Sequence, residues 1–251
     1  LKPFCSEPYY PQAFVRPPAS LAIKQAMSSE REEWKGRVMM APDALKDASE
    51  EIRADREVVM EAVELWGGES LRYANAELRR DKQIVALAGS LEYAVEELQG
   101  DREFVEELVR AGKWAALIHA SKELRADREL VKAAVAINGD ALQCASDELR
   151  NTKEIVEIGV RQNSDTLMWA SEELKGDREI VEIAVRQNGN ALMYASEQVK
   201  DDRDIVTVAV QQTWHALSFV GPNLRADREF LESISSPETV ASLFPSDGKQ
   251  T

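Results

Sequence analysis

Two histidines and two cysteines are the side chains in this sequence most able to do nucleophilic, acid–base or metal chemistry, and their spacing keeps them apart. His119 and His215 fall in widely separated stretches. Cys5 and Cys144 have no partner at Cys-x-x-Cys or metal-ligand spacing, the usage of free thiols in a reducing compartment. No Ser/His/Asp or Cys/His grouping, phosphate loop or zinc spacing is present. The residues therefore predict no catalytic group, no cofactor site and no metal site, and a chain that is not an enzyme.

Carboxylates are the other chemistry-bearing group. Glu51, Glu77, Glu97, Glu123, Glu148 and Glu173 recur at one position and would stack into a ridge able to attract a basic partner or divalent cations. Arg53, Arg79, Arg125, Arg150 and Lys175 follow two residues later, and an arginine of each Asp-Arg-Glu triplet lies close by. The ridge is thus expected to be a solvated, largely self-compensated face. A formal charge of −14 argues against a nucleic-acid or anionic-membrane partner, both of which need Lys/Arg to neutralise phosphates. No apolar run approaches the roughly 20 residues that cross a bilayer. The expectation is a soluble intracellular chain that binds other protein subunits and, at most, lies on a membrane protein complex. Leu1 fits either removal of a presequence or a chain that simply starts there.

The elements that carry these residues repeat. Asp-Arg-Glu followed by two apolar residues begins at Asp55, Asp101, Asp127, Asp177 and Asp227, with variants at Asp81, Thr152 and Asp202 and a degenerate copy at Glu30. In the unit starting at Asp177, the aspartate caps a helix and Ile180, Val181, Ala184 and Val185 form one apolar stripe. Asn188-Gly189 is expected to stop that helix, Gly taking the left-handed conformation. A second helix should start near Asn190 with Leu192, Ala195 and Val199 on one face. A leucine recurs from Leu45 to Leu217, and an alanine follows it by three from Ala48 to Ala195, small enough for close helix approach. Each unit then reads as an αα-hairpin that buries its stripe only by stacking on neighbours. The predicted class is all-α: an α-solenoid of about eight 25-residue helix-pair repeats, spanning 30–244.

These residues resemble the repeats called domain of unknown function 4116, whose pattern reads D-R-E-(I/V/L)-V-x-x-A-V-x-x-N-G-x-x-L-x-x-A-S-x-E-L-(K/R). The resemblance is strong over 101–228 and weaker over 30–100. It implies the repeat fold, carries no catalytic activity, and through the repeats' abundance in algae, other protists and some intracellular bacteria implies an organellar setting such as a plastid photosystem and its antennae.

Departures from the pattern locate candidate surfaces. Unit 81–100 lacks about five residues, which predicts a notch or bend. Trp66, Trp114 and Trp214 fall in the loops joining the paired helices, where they either plug gaps or meet a partner; Trp34 and Trp169 fall on core-like positions. Residues 1–29 interleave Pro3, Pro8, Pro11, Pro17 and Pro18 with Phe4, Tyr9, Tyr10 and Phe14, an extended arm before a short helix over 19–27 and a capping box from Ser29 to Glu32. Lys2, Arg16 and Lys24 against Glu7 give these 29 residues +2, leaving −16 on the rest. The arm is expected either to dock on the acidic array or to lie across another subunit. Ser236-Pro237-Glu238 should start a last short helix before a loose polar tail, 245–251.

Two functions are in competition: a non-catalytic scaffold or linker subunit of a large assembly, or a free-standing adaptor that captures a peptide on its concave face. The predicted partner-binding residues are Phe4, Tyr9, Tyr10, Phe14, Trp66, Trp114 and Trp214.

Overall fold

Asp177 does what its position predicts: its carboxylate accepts from the amides of Glu179 and Ile180 at 3.0 and 3.2 Å, and the helix Arg178–Gln187 follows. In the computed structural model, which describes residues 19–243, this unit is the pattern for the array. Ile180, Val181, Ala184 and Val185 are buried on the inner face of the helix. Among the described residues every regular element is helical.

The second limb differs from the expected single helix. It is a 3₁₀ segment, Gly189–Tyr194, then an extended residue, Ala195 (φ −68°, ψ 158°), then one α-turn, Glu197–Lys200. In most units the restart is capped by the residue after the constant alanine, usually a serine; at Val95 and Gly221 the same extended turn forms with no cap from that residue. Ser196 Oγ accepts from the Val199 amide, so the chain restarts with a fresh N-cap instead of continuing. Ser49, Asn75, Ser121, Ser146 and Ser171 do the same in their units. Six units are therefore a long helix, a 3₁₀ segment and a short helix; the unit from Asp55 has an α-turn, Gly68–Leu71, in place of the 3₁₀ segment, and the shortened unit has neither.

Asn188-Gly189 also works differently. Gly189 is not left-handed; the positive-φ glycines are Gly67, Gly89 and Gly112. Asn188 Oδ1 caps the 3₁₀ segment by accepting from the Asn190 amide at 3.0 Å. Gly189 is there because a Cβ would lie 2.2 Å from the Ala209 carbonyl oxygen of the next unit.

Adjacent units are held by three linked sets of contacts. The leucines Leu45, Leu71, Leu91, Leu117, Leu142, Leu167 and Leu192 are fully buried, each stabilising by roughly 1.5–3 kcal/mol. The amide of each short-helix cap donates to a carbonyl of the unit before: Asn75 to Arg53, Ser121 to Gln99, Ser146 to Arg125, Ser171 to Arg150 and Ser196 to Lys175, all at 2.9–3.0 Å. The cation of each Asp-Arg-Glu reaches the capping aspartate of the next unit: Arg56 to Asp81 at 3.0 Å, Lys82 to Asp101 at 2.6 Å, Arg102 to Asp127 at 2.9 Å, Lys153 to Asp177 at 2.8 Å and Arg178 to Asp202 at 3.1 Å. Such exposed pairs contribute about 0–1 kcal/mol each, so the leucines supply the stability and the polar ladder fixes the register.

Thr152 interrupts this ladder. It makes no capping bond, its hydroxyl turns back to the Glu148 carbonyl at 3.1 Å, and Arg128 goes to Glu154 instead. Thr152→Asp should restore both interactions and stabilise by about 0.5–2 kcal/mol. A urea midpoint that stays put or falls would contradict the ladder.

The ladder also sets an acid limit. The Lys82 ammonium, with the Phe104 amide, holds the Asp101 carboxyl below its ordinary range against opposing burial. At Asp127 the Leu130 amide contributes most, burial opposes it, and Arg102 adds to the lowering. A depressed folded pKa means stability that is present above the unfolded value near about 4 and lost as pH falls through the folded one. The thermal midpoint should be flat from about pH 7 to 5 and drop below about pH 4, with a shallower drop in Asp101→Asn/Asp127→Asn.

Both ends of the array depart from the repeat. Residues 19–40 form one unbroken helix, so Ser29 is an interior residue rather than a cap, and residues 1–18 lie outside the described residues. Trp34 and Val38 are buried at its junction with the first unit. The last short helix is Pro237–Leu243. In the shortened unit the helix Lys82–Ala88 stops at left-handed Gly89, and Lys113 of the next unit donates to the Ala86 carbonyl, covering the truncated end.

Candidate interaction face

The 3₁₀ segments stack side by side and present one solvent-facing row. Its positions are the two residues after each constant leucine. The first holds Lys46, Arg72, Glu92, Ile118, Gln143, Met168, Met193 and Ser218; Ile118, Met168 and Met193 are 44%, 39% and 44% exposed despite being large and apolar. The second holds Tyr73, Tyr93, His119, Cys144, Trp169, Tyr194 and Phe219. All are half-buried against the core except Cys144, which is buried. Leucine turned inward and its successor turned outward follow from the three-residue turn of a 3₁₀ helix.

Beside this row runs a second one from the short helices: Arg53, Arg79, Gln99, Arg125, Arg150, Lys175, Lys200 and Arg225. The two rows meet in grooves at the unit junctions. One groove, about 340 Å³, is lined by Lys122, Arg125, Gln143, Ala145, Ser146, Asp147 and Arg150. A second of about 340 Å³ lies three units on, lined by the equivalent residues Glu197, Lys200, Ser218, Val220, Pro222 and Arg225 with Phe219. The first carries Lys122, Arg125 and Arg150 against Asp147, a local charge of +2 on a chain of −14.

The opposite edge, formed by the outer faces of the long helices, is closed electrostatically. Glu106 bridges Arg102 and Arg110, Glu157 pairs with Arg161 at 2.6 Å, and Glu182 pairs with Arg186 at 2.6 Å. A groove there has three cations and three carboxylates, Lys153, Arg161 and Arg186 with Glu157, Glu179 and Glu182. It offers a partner neither net charge nor an apolar stripe.

The histidines take different roles in this geometry. His119 is a half-buried member of the row with Nε2 4.0 Å from Glu92. His215 is exposed and stacks on Trp214, ring centroids 3.8 Å apart. Burial pushes the Cys144 thiol up to about 11, so at neutral pH it is a protonated packing group.

The tryptophans do not share an edge of loops. Trp66 ends the helix Arg56–Trp66 and its indole donates to the Val38 carbonyl at 2.6 Å, plugging the end of the first helix. Trp114 and Trp214 open 3₁₀ segments. Trp114 is half-buried on the core, whereas Trp214 is 49% exposed. Trp34 is buried and Trp169 half-buried. Phe4, Tyr9, Tyr10 and Phe14 lie outside the described residues.

The glutamate ridge is not compensated as its spacing predicts. Arg56, Arg102, Arg178 and Arg203 are committed to the next unit's aspartate, and Arg128 to Glu154. Glu97 has Arg80 at 3.1 Å and Glu173 has Asn151 at 3.0 Å, but Glu51, Glu123 and Glu148 have no ion-pair partner among the described residues. No group of three or more His, Cys, Asp or Glu among those residues is placed to hold a metal ion, and no helix among them is long and apolar enough to cross a membrane. The sequence signal for the interaction face is Ile118, Met168 and Met193 at a position that is polar or charged in the other units, and it passes for core when the second limb is read as one α-helix.

No curated protein and no solved structure matches the chain. The model of the family described as Domain of unknown function (DUF4116) matches three times, over residues 38–79, 127–175 and 177–225, more than half of the sequence. The junctions that define the repeat here, a capping aspartate, a buried leucine and a serine restart, fall inside those matches, and the chain belongs to the DUF4116 repeat family.

Proposed function

We propose that the chain is a non-catalytic scaffold or linker subunit that holds a segment of another protein along the 3₁₀ face. The observation that carries this is the exposure of three large apolar side chains, Ile118, Met168 and Met193, on one face of the 3₁₀ segments, next to a row of basic residues from the short helices. Apolar patches rimmed by polar groups mark interaction sites more often than isolated exposed residues do. The repeats' distribution makes an organellar assembly, a plastid photosystem with its antennae, the first one to examine. Residues 1–18 would supply a separate attachment through Phe4, Tyr9, Tyr10 and Phe14.

Met168→Glu/Met193→Glu should detach the protein from its native high-mass assembly in size exclusion while keeping its helical circular dichroism. Retention of the folded double variant in the assembly would remove the face from the account. A wild-type protein that elutes at monomer mass from native material would favour the free-standing adaptor. Deleting 1–18 should weaken assembly without unfolding the repeats.

A further inference from the structure

We infer that residues 1–18 fold back along the first helix and seat Tyr9 and Tyr10 in a groove at the open end of the array, beside Trp34 and Met40. This groove lies apart from the 3₁₀ face, and its occupancy is independent of what binds there.

In a stacked array each long helix is covered on one flank by the unit before it and on the other by the unit after it. Among the described residues the helix Ala19–Met40 has only the second neighbour. Arg31 and Lys35 turn toward that unit and reach Asp55 and Glu57. On the opposite flank Glu33, Gly36, Arg37 and Met40 line a groove of about 440 Å³ together with Trp34 and Asp47. Met40 is 85% exposed there, and a Cβ on Gly36 would meet nothing within 4 Å. The end of a repeat array is stable in water only when such a flank is capped.

Reach, charge and mass action select the chain's own segment as the occupant. Gly36 stands about 25 Å along the helix from Ala19 at roughly 1.5 Å per residue. A chain that reverses at Pro17-Pro18 and runs back extended at about 3.1 Å per residue covers that distance by Tyr9, which brings Tyr9 level with Gly36 and Tyr10 level with Trp34. Phe14 falls short of the groove and Phe4 passes beyond Met40. Prolines at positions 3, 8, 11, 17 and 18 lower the entropy that docking costs. Lys2 and Arg16 against Glu7 give the segment +1, and Glu33 and Asp47 against Arg37 give the groove −1. Arg37 is held by Glu33 at 2.8 Å and lies over the Trp34 ring, so Asp47 has no ion-pair partner among the described residues. A tethered segment meets its site at an effective concentration of about millimolar, well above that of a second copy in a micromolar solution. An attachment to another subunit through all four aromatics therefore has first to lift Tyr9 and Tyr10 out of this groove.

The test is made on the full chain carrying Cys5→Ser and follows disulfide formation with oxidised glutathione. Pro8→Cys/Gly36→Cys places one thiol beside Tyr9 and the other in the groove, where the glycine leaves room for it. Pro8→Cys/Glu57→Cys is the control, because Glu57 pairs with Lys35 and so stands at the same height on the covered flank. The 8–36 disulfide is expected within one chain, at a rate independent of protein concentration and at least about tenfold above that of 8–57. Adding Tyr9→Ser/Tyr10→Ser should slow it at least about tenfold. Asp47→Cys on the same groove replaces Gly36→Cys should that variant lose its helical circular dichroism. Equal rates for the two pairs, or indifference to loss of both tyrosines, would overturn the inference. Disulfides between chains whose share rises with protein concentration would also overturn it and give the groove to a second copy.

Discussion

Leu167→Ala should lower the stability of the array by about 2–5 kcal/mol, while Met168→Ala one residue away should change it by no more than about 0.5 kcal/mol. Leu167 is fully buried between the long helix of its own unit and the neighbouring 3₁₀ segments, so truncation removes its contacts and leaves a cavity that stacked units cannot easily close. Met168 already has 39% of its surface in water and loses little. Urea denaturation of the two variants checks the pair. Similar midpoints would mean that the 3₁₀ register is wrong and that the proposed face is not a face.

Gly189→Ala is the second large effect. The added methyl would lie 2.2 Å from the Ala209 carbonyl oxygen and 3.0 Å from its carbonyl carbon, with Thr213 Cγ2 also at 3.0 Å. Two of those three atoms are backbone, and they belong to the next unit, so relief requires two repeats to separate. The cost should reach or exceed the upper end of the roughly 1–3 kcal/mol of ordinary overpacking. Gly36→Ala is the matched control: its Cβ would meet nothing within 4 Å, and in a helix interior alanine should stabilise by about 0.5–1 kcal/mol. Opposite signs at the two glycines are the expected outcome of thermal unfolding; destabilisation of neither would show that the units do not approach this closely.

These two results bear on what the sequence made legible. Buried positions follow from periodicity, and Asp177, Ile180, Val181 and Leu192 sit where spacing puts them. Long-range consequences are harder to see. Asn188-Gly189 reads as a helix stop through local backbone freedom, yet the constraint on Gly189 comes from Ala209, in another unit. Ser196 looks like a helix-surface residue until its oxygen is seen to accept from the Val199 amide and cap a fresh turn, after a 3₁₀ segment whose tighter winding turns Met193 outward. The arginines of Asp-Arg-Glu look like partners for the nearby glutamates, but a one-unit offset takes most of them to an aspartate about 25 residues on, as Arg102 to Asp127 shows. The tryptophans share a position in sequence without sharing an environment, since Trp66 donates to the Val38 carbonyl of the preceding helix and Trp214 stacks on its neighbour His215.

The most direct test of the central claim places a photoreactive residue at Met193 on the 3₁₀ face or at Arg186 on the long-helix edge, irradiates native assemblies, and identifies the adducts by mass spectrometry. Both positions are exposed, so accessibility alone does not separate them. The account predicts one dominant partner peptide from Met193 and only scattered adducts from Arg186; a single partner captured from Arg186 with none from Met193 would contradict it.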